Sequence, residues 1–207
     1  MHDNFRNNII WQKNTITRIK RENKNGHKSI LVWLTGLSGS GKSSIANVVE
    51  AMLFKHGVNT YLLDGDNIRL GLCSDLSFSL VDRQENIRRL GEVSKIMLDS
   101  GILVLASVIS PYKCHRQLIF DIVGKNNCFE VFVDTPISIC RKRDSKGLYK
   151  KADSGEIRDF TGVQSIYETP EAPDLILDGT LPLKKNAEKI IKKLYNKNII
   201  PKFKSME

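Results

Sequence analysis

The sequence contains no apolar run long enough to cross a membrane. Its apolar stretches fall well short of the roughly 18–20 residues that a membrane-spanning helix needs. The opening MHDNFRNNIIWQKN has neither the basic segment nor the apolar core of a secretory signal. We therefore expect a cytoplasmic protein without a membrane partner.

Cysteine is also scarce, with four residues in a chain of 207. No two of them form a Cys-x-x-Cys pair, so neither a zinc site nor a disulfide framework is expected. A reduced thiol is the simplest state for each in a cytosolic protein. The four residues are Cys73, Cys114, Cys128 and Cys140.

The net charge of +9 is concentrated at the two ends of the chain. Residues 1–28 hold seven Lys or Arg against two Asp or Glu, and residues 180–207 hold eight against two. Near the second end, lysines alternate with Ile190, Ile191 and Leu194, a pattern typical of an amphipathic helix with a solvated charged face. Because the middle of the chain is slightly acidic, we expect no nucleic-acid partner; small anionic substrates need only a local cluster of positive charge.

Five short apolar runs alternate with segments of helical periodicity. This alternation predicts an α/β fold, a doubly wound five-stranded parallel sheet with helices on both faces. The length favours one domain over residues 1–207, with an N-terminal extension at about 1–28. A polar stretch at about 141–169 is interpreted as a mobile lid, because long loops in compact domains are usually functional. The runs lie at 30–35, 60–64, 102–109, 129–134 and 175–178.

A glycine-rich motif follows the first run. It fits the P-loop pattern G-x-x-x-x-G-K-[ST] between a strand and an amphipathic helix. Its backbone N–H groups and the helix N-terminus suit phosphate oxygens; Lys42 should reach the β- and γ-phosphates of ATP, and the Ser43 hydroxyl should bind Mg²⁺. A chance turn, or phosphate binding without catalysis, is the alternative. The expected ATP-binding residues are Gly36, Leu37, Ser38, Gly39, Ser40, Gly41, Lys42 and Ser43.

Two carboxylates follow the second run, in Asp64-Gly65-Asp66. The carboxyl ends of parallel strands face the ligand crevice of such a sheet, so both acids should lie near the triphosphate. Phosphoryl transfer needs groups that hold Mg²⁺ and orient the attacking hydroxyl. We assign Asp66 to the acceptor as a catalytic residue and Asp64 to metal-bound water, although either could instead begin a loop or cap the next helix.

Further motifs continue in order along the chain, and with them the sequence resembles the adenylylsulfate kinases. The likeness covers roughly residues 8–180 and reaches upstream to Trp11 and Gly26-His27. These motifs are Phe-Ser-Leu-Val-Asp-Arg-Gln-Glu-Asn at 78–86, Ile-Ser-Pro-Tyr at 109–112, Phe-Val-Asp-Thr-Pro at 132–136, Arg-Asp-Ser-Lys-Gly-Leu-Tyr-Lys-Lys-Ala at 143–152, Gly-Glu-Ile-Arg-Asp-Phe-Thr-Gly at 155–162 and Tyr-Glu-Thr-Pro at 167–170.

The resemblance implies contacts to the acceptor. Two aromatic rings sandwich its adenine in the family, and the matching residues are Phe78 and Phe160, unless either ring belongs to the core. Lys146 and Leu148 match acceptor contacts in the lid. Arg141 and Arg143, also in the lid, could stack on the donor adenine or neutralise phosphate, although Arg141 could simply be solvated.

Three residues match contacts to the phosphosulfate group. Arg69 and Arg83 carry planar guanidinium groups that can pair two oxygens of a dianion, and Asn86 lies one helical turn after Arg83. A surface salt bridge with Glu85 or Glu92 is the alternative for the arginines.

Ile109 and Ser110 also match acceptor contacts. Ser110 should close the third strand, and Pro111 should keep that strand end extended. The family includes descriptions of this serine as a phosphoserine intermediate, whereas direct in-line transfer explains the same residues more simply. The chain departs from the family at Asp153, where arginine is usual, and at 164–166, where Asp-Asp-Pro is common.

The function that the resemblance implies is transfer of the ATP γ-phosphoryl group to the 3′-hydroxyl of adenosine 5′-phosphosulfate, in sulfate assimilation. It implies Mg²⁺ as cofactor and a homodimer. A P-loop kinase of another nucleotide-linked acceptor is one alternative, which the retained Phe78, Arg83, Asn86 and Phe160 disfavour. A nucleotide-binding regulatory protein is another, which the presence of Lys42, Ser43 and Asp66 disfavours.

Overall fold

The computed structural model describes residue 10 and residues 12–203, so Trp11 lies outside the described residues. Five strands form one sheet in the order β2-β3-β1-β4-β5, and every neighbouring pair is parallel. The predicted sheet is therefore confirmed. The strands are β1 (Leu31–Thr35), β2 (Thr60–Asp64), β3 (Leu103–Ser107), β4 (Cys128–Asp134) and β5 (Leu175–Asp178).

Eight α-helices connect and flank these strands within the described residues. The second begins at Lys42, inside the glycine-rich motif, and ends at Lys55. The helices are α1 (Arg18–Asn25), α2 (Lys42–Lys55), α3 (Gly65–Arg69), α4 (Leu80–Asp99), α5 (Lys113–Val123), α6 (Ile137–Arg143), α7 (Leu148–Asp153) and α8 (Leu183–Asn196).

The sheet is covered on both faces because its central strands are apolar at every position. All five residues of β1 are buried, and their side chains alternate between two clusters. Val32 and Leu34 pack with α2 and α8, whereas Leu31 and Trp33 pack with α4 and α5. This arrangement makes the fold doubly wound, as predicted from the continuous apolar runs.

The third strand is shorter than predicted. It ends at Ser107, and Ser110, three residues later, has a left-handed backbone with φ of 39°. The prediction that Ser110 closes the strand was therefore wrong, because the chain leaves the sheet before Pro111. Ser107 lies beside Asp64 and Leu34 in the sheet, so three strand ends meet at one edge.

The segment at 141–169 forms a small cluster of its own rather than an open loop. Cys140, Tyr149, Ala152 and Phe160 are buried together, apart from the two clusters that flank the sheet. Helices α6 and α7 supply three of these four side chains. The segment therefore has enough apolar contact to stand as a unit over the sheet edge.

Helix α8, near the basic C-terminal end, is amphipathic as its charge pattern predicts. The buried side of α8 consists of Asn186, Ala187, Ile190, Ile191 and Leu194, so its lysines face solvent. The four cysteines, all within the described residues, are free thiols. Among the residues that the structure describes, no helix combines the length and apolar content needed to span a bilayer.

Candidate active site

A cavity of about 1040 Å³ opens at the carboxyl edge of the sheet. Its wall includes the P-loop, the ends of β2 and β3, the start of α4, and the segment at 141–169. Typical small-molecule pockets measure about 300–1,000 Å³, so this cavity lies at the top of that range.

The P-loop is shaped by glycines with positive φ. Gly36 and Gly39 have φ of 147° and 73°. A Cβ atom on Gly36 would lie 2.6 Å from the Val133 carbonyl oxygen, and one on Gly39 would lie 2.9 Å from that of Cys140. Glycine therefore lets the loop fold tightly against β4 and α6, with the N-terminus of α2 behind it, a geometry that favours phosphate binding.

Lys42, the first residue of α2, is buried at the base of this loop. Its Nζ donates to the Leu37 carbonyl oxygen at 2.7 Å and to Ser40 Oγ at 3.4 Å. Burial lowers the pKa of Lys42 to about 8. The nearby Asp64 carboxylate has the opposite, smaller effect, because it favours the charged form. The ammonium group is thus held inside the loop, short of an anionic partner.

Hydroxyl and carboxylate oxygens gather between the loop and β2. Ser43 Oγ lies 3.0 Å from Ser107 Oγ. Asp64 Oδ1 accepts a hydrogen bond from the Asp66 backbone N–H at 3.0 Å and so caps α3. The alternative of a helix cap therefore holds for one oxygen of Asp64, whose side chain also lines the cavity.

Asp66 is exposed to the cavity and forms an ion pair with the segment at 141–169, which we call the covering segment. Its Oδ2 forms an ion pair with Lys146 Nζ, and both side chains are more than half exposed. This contact joins the end of β2 to the segment at 141–169. The structure thus brings together two residues that the sequence analysis assigned to the acceptor.

An aromatic ring and two guanidinium groups lie together near the start of α4. Phe78 is 60% exposed and is not a core residue. The Arg69 guanidinium lies over its ring, 4.3 Å from the centroid. Arg83 Nε donates to the Phe78 carbonyl oxygen at 2.8 Å, and its Nη2 donates to the Asp159 carbonyl oxygen at 3.0 Å.

Among the described ion pairs, neither arginine forms the surface salt bridge with Glu85 or Glu92 that was the alternative. Glu85 instead pairs with Arg88 at 2.7 Å and with Arg89 at 2.9 Å. Arg69 and Arg83 both line the cavity and are left without a carboxylate partner there. Burial lowers the pKa of each guanidinium, and neither one is close to deprotonation at neutral pH.

Phe160, in the segment at 141–169, has mixed surroundings. It is buried in the cluster of the covering segment, edge-on to Tyr149 at 5.1 Å between centroids. It also lines the cavity, as do Lys146 and Leu148. Core packing and a place in the site are therefore both true of this ring.

Ser110 is buried, and two neighbours engage its hydroxyl. Its Oγ accepts from Trp33 Nε1 at 3.0 Å and donates to Thr35 Oγ1 at 2.9 Å. Arg116 Nη1 donates to the Ser110 carbonyl oxygen at 2.8 Å and holds the turn. Because a nucleophilic hydroxyl would have to leave both partners, this geometry favours direct transfer over a phosphoserine. Ile109 and Ser110 both border the cavity.

The structure does not bring Arg141 to the cavity. Arg141 pairs with Asp153 at 2.8 Å, the position where the chain departs from the family pattern, and lies near the Tyr149 ring. Arg143 is at the P-loop instead. Its Nη1 donates to the Ser40 carbonyl oxygen at 3.2 Å and its Nη2 to that of Gly179 at 2.7 Å.

The loop after β5 also lines the cavity, and the sequence analysis missed it. Residues 179–183 border the end where Arg143 lies. No motif marks this loop in the sequence. The signal that could have found it is topological, because β5 ends at the same edge of the sheet as β1 and β2.

A P-loop between β1 and α2, carboxylates at the end of β2 and a covering segment over the same edge define a P-loop kinase. The family model for adenylylsulphate kinase matches residues 28–178. The chain belongs to the adenylylsulfate kinase family.

Individual relatives agree with this assignment. The chain is 64% identical over 200 residues to an adenylyl-sulfate kinase of Buchnera aphidicola from Acyrthosiphon pisum, covering 97% of each chain. It is 52% identical over 179 residues to that of Escherichia coli, covering 86% of this chain and 88% of the relative. Its fold is similar to Mycobacterium tuberculosis APS kinase in complex with AMPPNP and APS, with a TM-score of 0.79, 47% identity, and coverage of 82% and 99%.

Proposed function

We propose that the chain transfers the γ-phosphoryl group of ATP to the 3′-hydroxyl of adenosine 5′-phosphosulfate (APS), giving 3′-phosphoadenosine 5′-phosphosulfate and ADP. The observation that carries the proposal is one cavity lined both by the P-loop and by Asp66, Arg69, Phe78 and Arg83. The first set suits a triphosphate, and the second suits a purine that carries an anionic group.

Each part of the cavity has a role in this reaction. The P-loop N–H groups and Lys42 hold the donor phosphates, and Arg143 keeps the loop in place. Phe78 and Phe160 stack on the acceptor adenine, and Arg69, Arg83 and Asn86 bind its phosphosulfate. Asp66 orients the attacking hydroxyl and accepts its proton, so catalysis is mostly positioning and charge neutralisation.

Residues at the start of α2 and at the end of β2 fit Mg²⁺. Ser43 and Asp64 offer hydroxyl and carboxylate oxygens, the ligands that Mg²⁺ prefers, and both line the cavity. No group of three or more His, Cys, Asp or Glu among the described residues could hold a metal by itself. That agrees with an ion that arrives with ATP and keeps phosphate and water ligands. When bound, Mg²⁺ neutralises charge on the β- and γ-phosphates.

The direct test is ADP release by the purified protein with MgATP. We expect rapid release with APS and slow release with AMP or with no acceptor, because AMP lacks the sulfate that the two arginines would bind. Equal slow release in all three reactions would contradict the proposed acceptor and leave a kinase of another substrate.

ATP affinity should fall as the pH rises above about 8. Burial lowers the pKa of Lys42 to about 8 in the free protein, so the side chain is neutral above that pH. Bound phosphates favour the ammonium form, so binding then takes up a proton, and the affinity falls by up to about tenfold per pH unit.

Calorimetry between pH 7 and 9.5, in buffers of different ionisation enthalpy, measures both the affinity and the proton uptake. Lys42→Arg keeps its charge throughout and is the control, with no such slope expected. If the ATP affinity of the wild type does not change with pH over this range, Lys42 stays charged in the free protein and the prediction is wrong.

The assembly and location are part of the proposal. The homodimer follows from the family resemblance and can be checked by light scattering. A cytoplasmic location is consistent with ATP as the donor and with the free thiols.

A further inference from the structure

His115 borders the cavity without a role in the proposed reaction so far. It is the third residue of α5, its exposure is 2%, and its ring packs edge-on against Tyr112 at 5.1 Å. Its Nδ1 has no hydrogen-bond partner among the described residues, although it is hidden from solvent. A buried ring nitrogen without a partner is unusual and calls for a ligand or a bound water.

A second unpartnered atom lies in the same part of the cavity. Asn86 is also 2% exposed, and its Oδ1 likewise lacks a partner among the described residues. It lies on α4, which packs along α5, and both side chains line the cavity. A protonated His115 can donate from Nδ1 to an anion beside Arg83, whereas Asn86 can donate to that anion only from Nδ2, since its Oδ1 is an acceptor.

Charged groups surround His115 from three directions. Burial is the main cause that lowers the pKa of its imidazole, and Arg83 on α4 and Arg116 on its own helix act in the same sense. Glu168, in the segment that precedes β5, acts in the opposite sense. The imidazole is therefore neutral at pH 7 while no anion is bound beside Arg83.

We propose that His115 is a specificity-determining residue of the acceptor site, whose protonated imidazole binds the phosphosulfate group together with Arg83 and Asn86. This inference rests on the proposed function, because it takes APS as the acceptor. Both acids of the phosphosulfate link are strong, so its two negative charges persist from pH 6 to 8. A dianion beside Arg83 offsets the charge that keeps the imidazole neutral.

The sign of the pH dependence follows from this arrangement. Since the pKa of His115 lies below its ordinary value in the free protein and rises when the dianion binds, binding near neutral pH takes up a proton. APS affinity should therefore increase as the pH falls from 8 to 6. A single linked proton gives at most about tenfold per pH unit.

The test is calorimetric binding of APS at pH 6, 7 and 8 to the wild type and to His115→Gln, which keeps a polar side chain that does not titrate. We expect about fivefold or more tighter binding at pH 6 than at pH 8 in the wild type. The variant should lose this slope and bind APS more weakly at pH 6. At each of these pH values, ATP affinity should be the same in both proteins.

Equal pH slopes in the two proteins would overturn the role of His115. A second measurement uses the wild type alone: NMR titration of its labelled histidines with and without APS should show one imidazole whose pKa rises on binding. No such rise would also overturn it. If APS supports ADP release normally while either result is negative, only the His115 inference fails; if APS supports none at any pH, the proposed function fails and the inference falls with it.

Discussion

Replacement of Asp66 by asparagine should lower kcat by about 10²–10⁴-fold, the usual contribution of a positioned general base. The carboxylate lines the cavity at the end of β2 and is paired with Lys146 from the covering segment. An amide cannot accept the proton of the ribose hydroxyl. The fold should be unchanged, because the cap of α3 uses the backbone N–H of Asp66 and the carboxylate of Asp64.

A matched control is available in the loop between α3 and α4. Asp75 forms an ion pair with Arg89, and its side chain is 60% exposed, compared with 63% for Asp66. Asp75 does not line the cavity, so Asp75→Asn should keep the wild-type kcat. Steady-state ADP release with APS measures both variants. A similar loss in both, or a kcat for Asp66→Asn above a tenth of the wild type, would remove Asp66 from the chemistry.

The sheet and the phosphate site could be predicted because local chemistry determines them. Strands buried on both faces read as continuous apolar runs, and β1 and β3 are buried at all five positions. The P-loop is equally local, since Gly36, Gly39 and Gly41 supply the positive φ angles within one short stretch. Nothing distant in the chain is needed to recognise either feature.

The covering segment could be predicted only in part, because its contacts depend on distant residues. Arg141 and Arg143 are two positions apart on α6, and the sequence does not show which of them reaches the P-loop. The structure places Arg143 there, while Asp153 on α7 holds Arg141 away. The left-handed turn at Ser110 has a similar cause, since Trp33 and Thr35 on β1 and Arg116 on α5 fix it.

Gly179 illustrates what a motif search cannot find. It belongs to no sequence motif and follows β5 directly, yet a Cβ atom there would lie 1.9 Å from Thr135 Oγ1 and 2.6 Å from the Ser40 carbonyl oxygen. Its own N–H donates to the Asp134 carbonyl oxygen at 2.7 Å, and its carbonyl oxygen accepts from Arg143. The absence of a side chain at this position therefore lets β5, β4 and the P-loop meet.

Gly179→Ala should consequently disturb both stability and ATP binding. Its φ is not in the left-handed region, so the effect is steric: the added methyl group collides with Ser40, within the P-loop, and with Thr135. Overpacking of this kind costs about 1–3 kcal/mol, which for a chain of this size lowers Tm by about 2–12 °C. Because Ser40 must move, KM for ATP should rise several-fold while KM for APS changes less.

Gly71→Ala separates this effect from a general cost of replacing glycine. Gly71 follows α3, its φ is also not in the left-handed region, and a Cβ atom there would meet nothing within 4 Å. Its Tm and both KM values should stay at wild-type values. Thermal unfolding and steady-state kinetics on the two variants decide the matter: if Gly179→Ala behaves like Gly71→Ala, then β5 and the P-loop are not packed as tightly as this geometry requires, and the loop after β5 would have no part in holding the donor site.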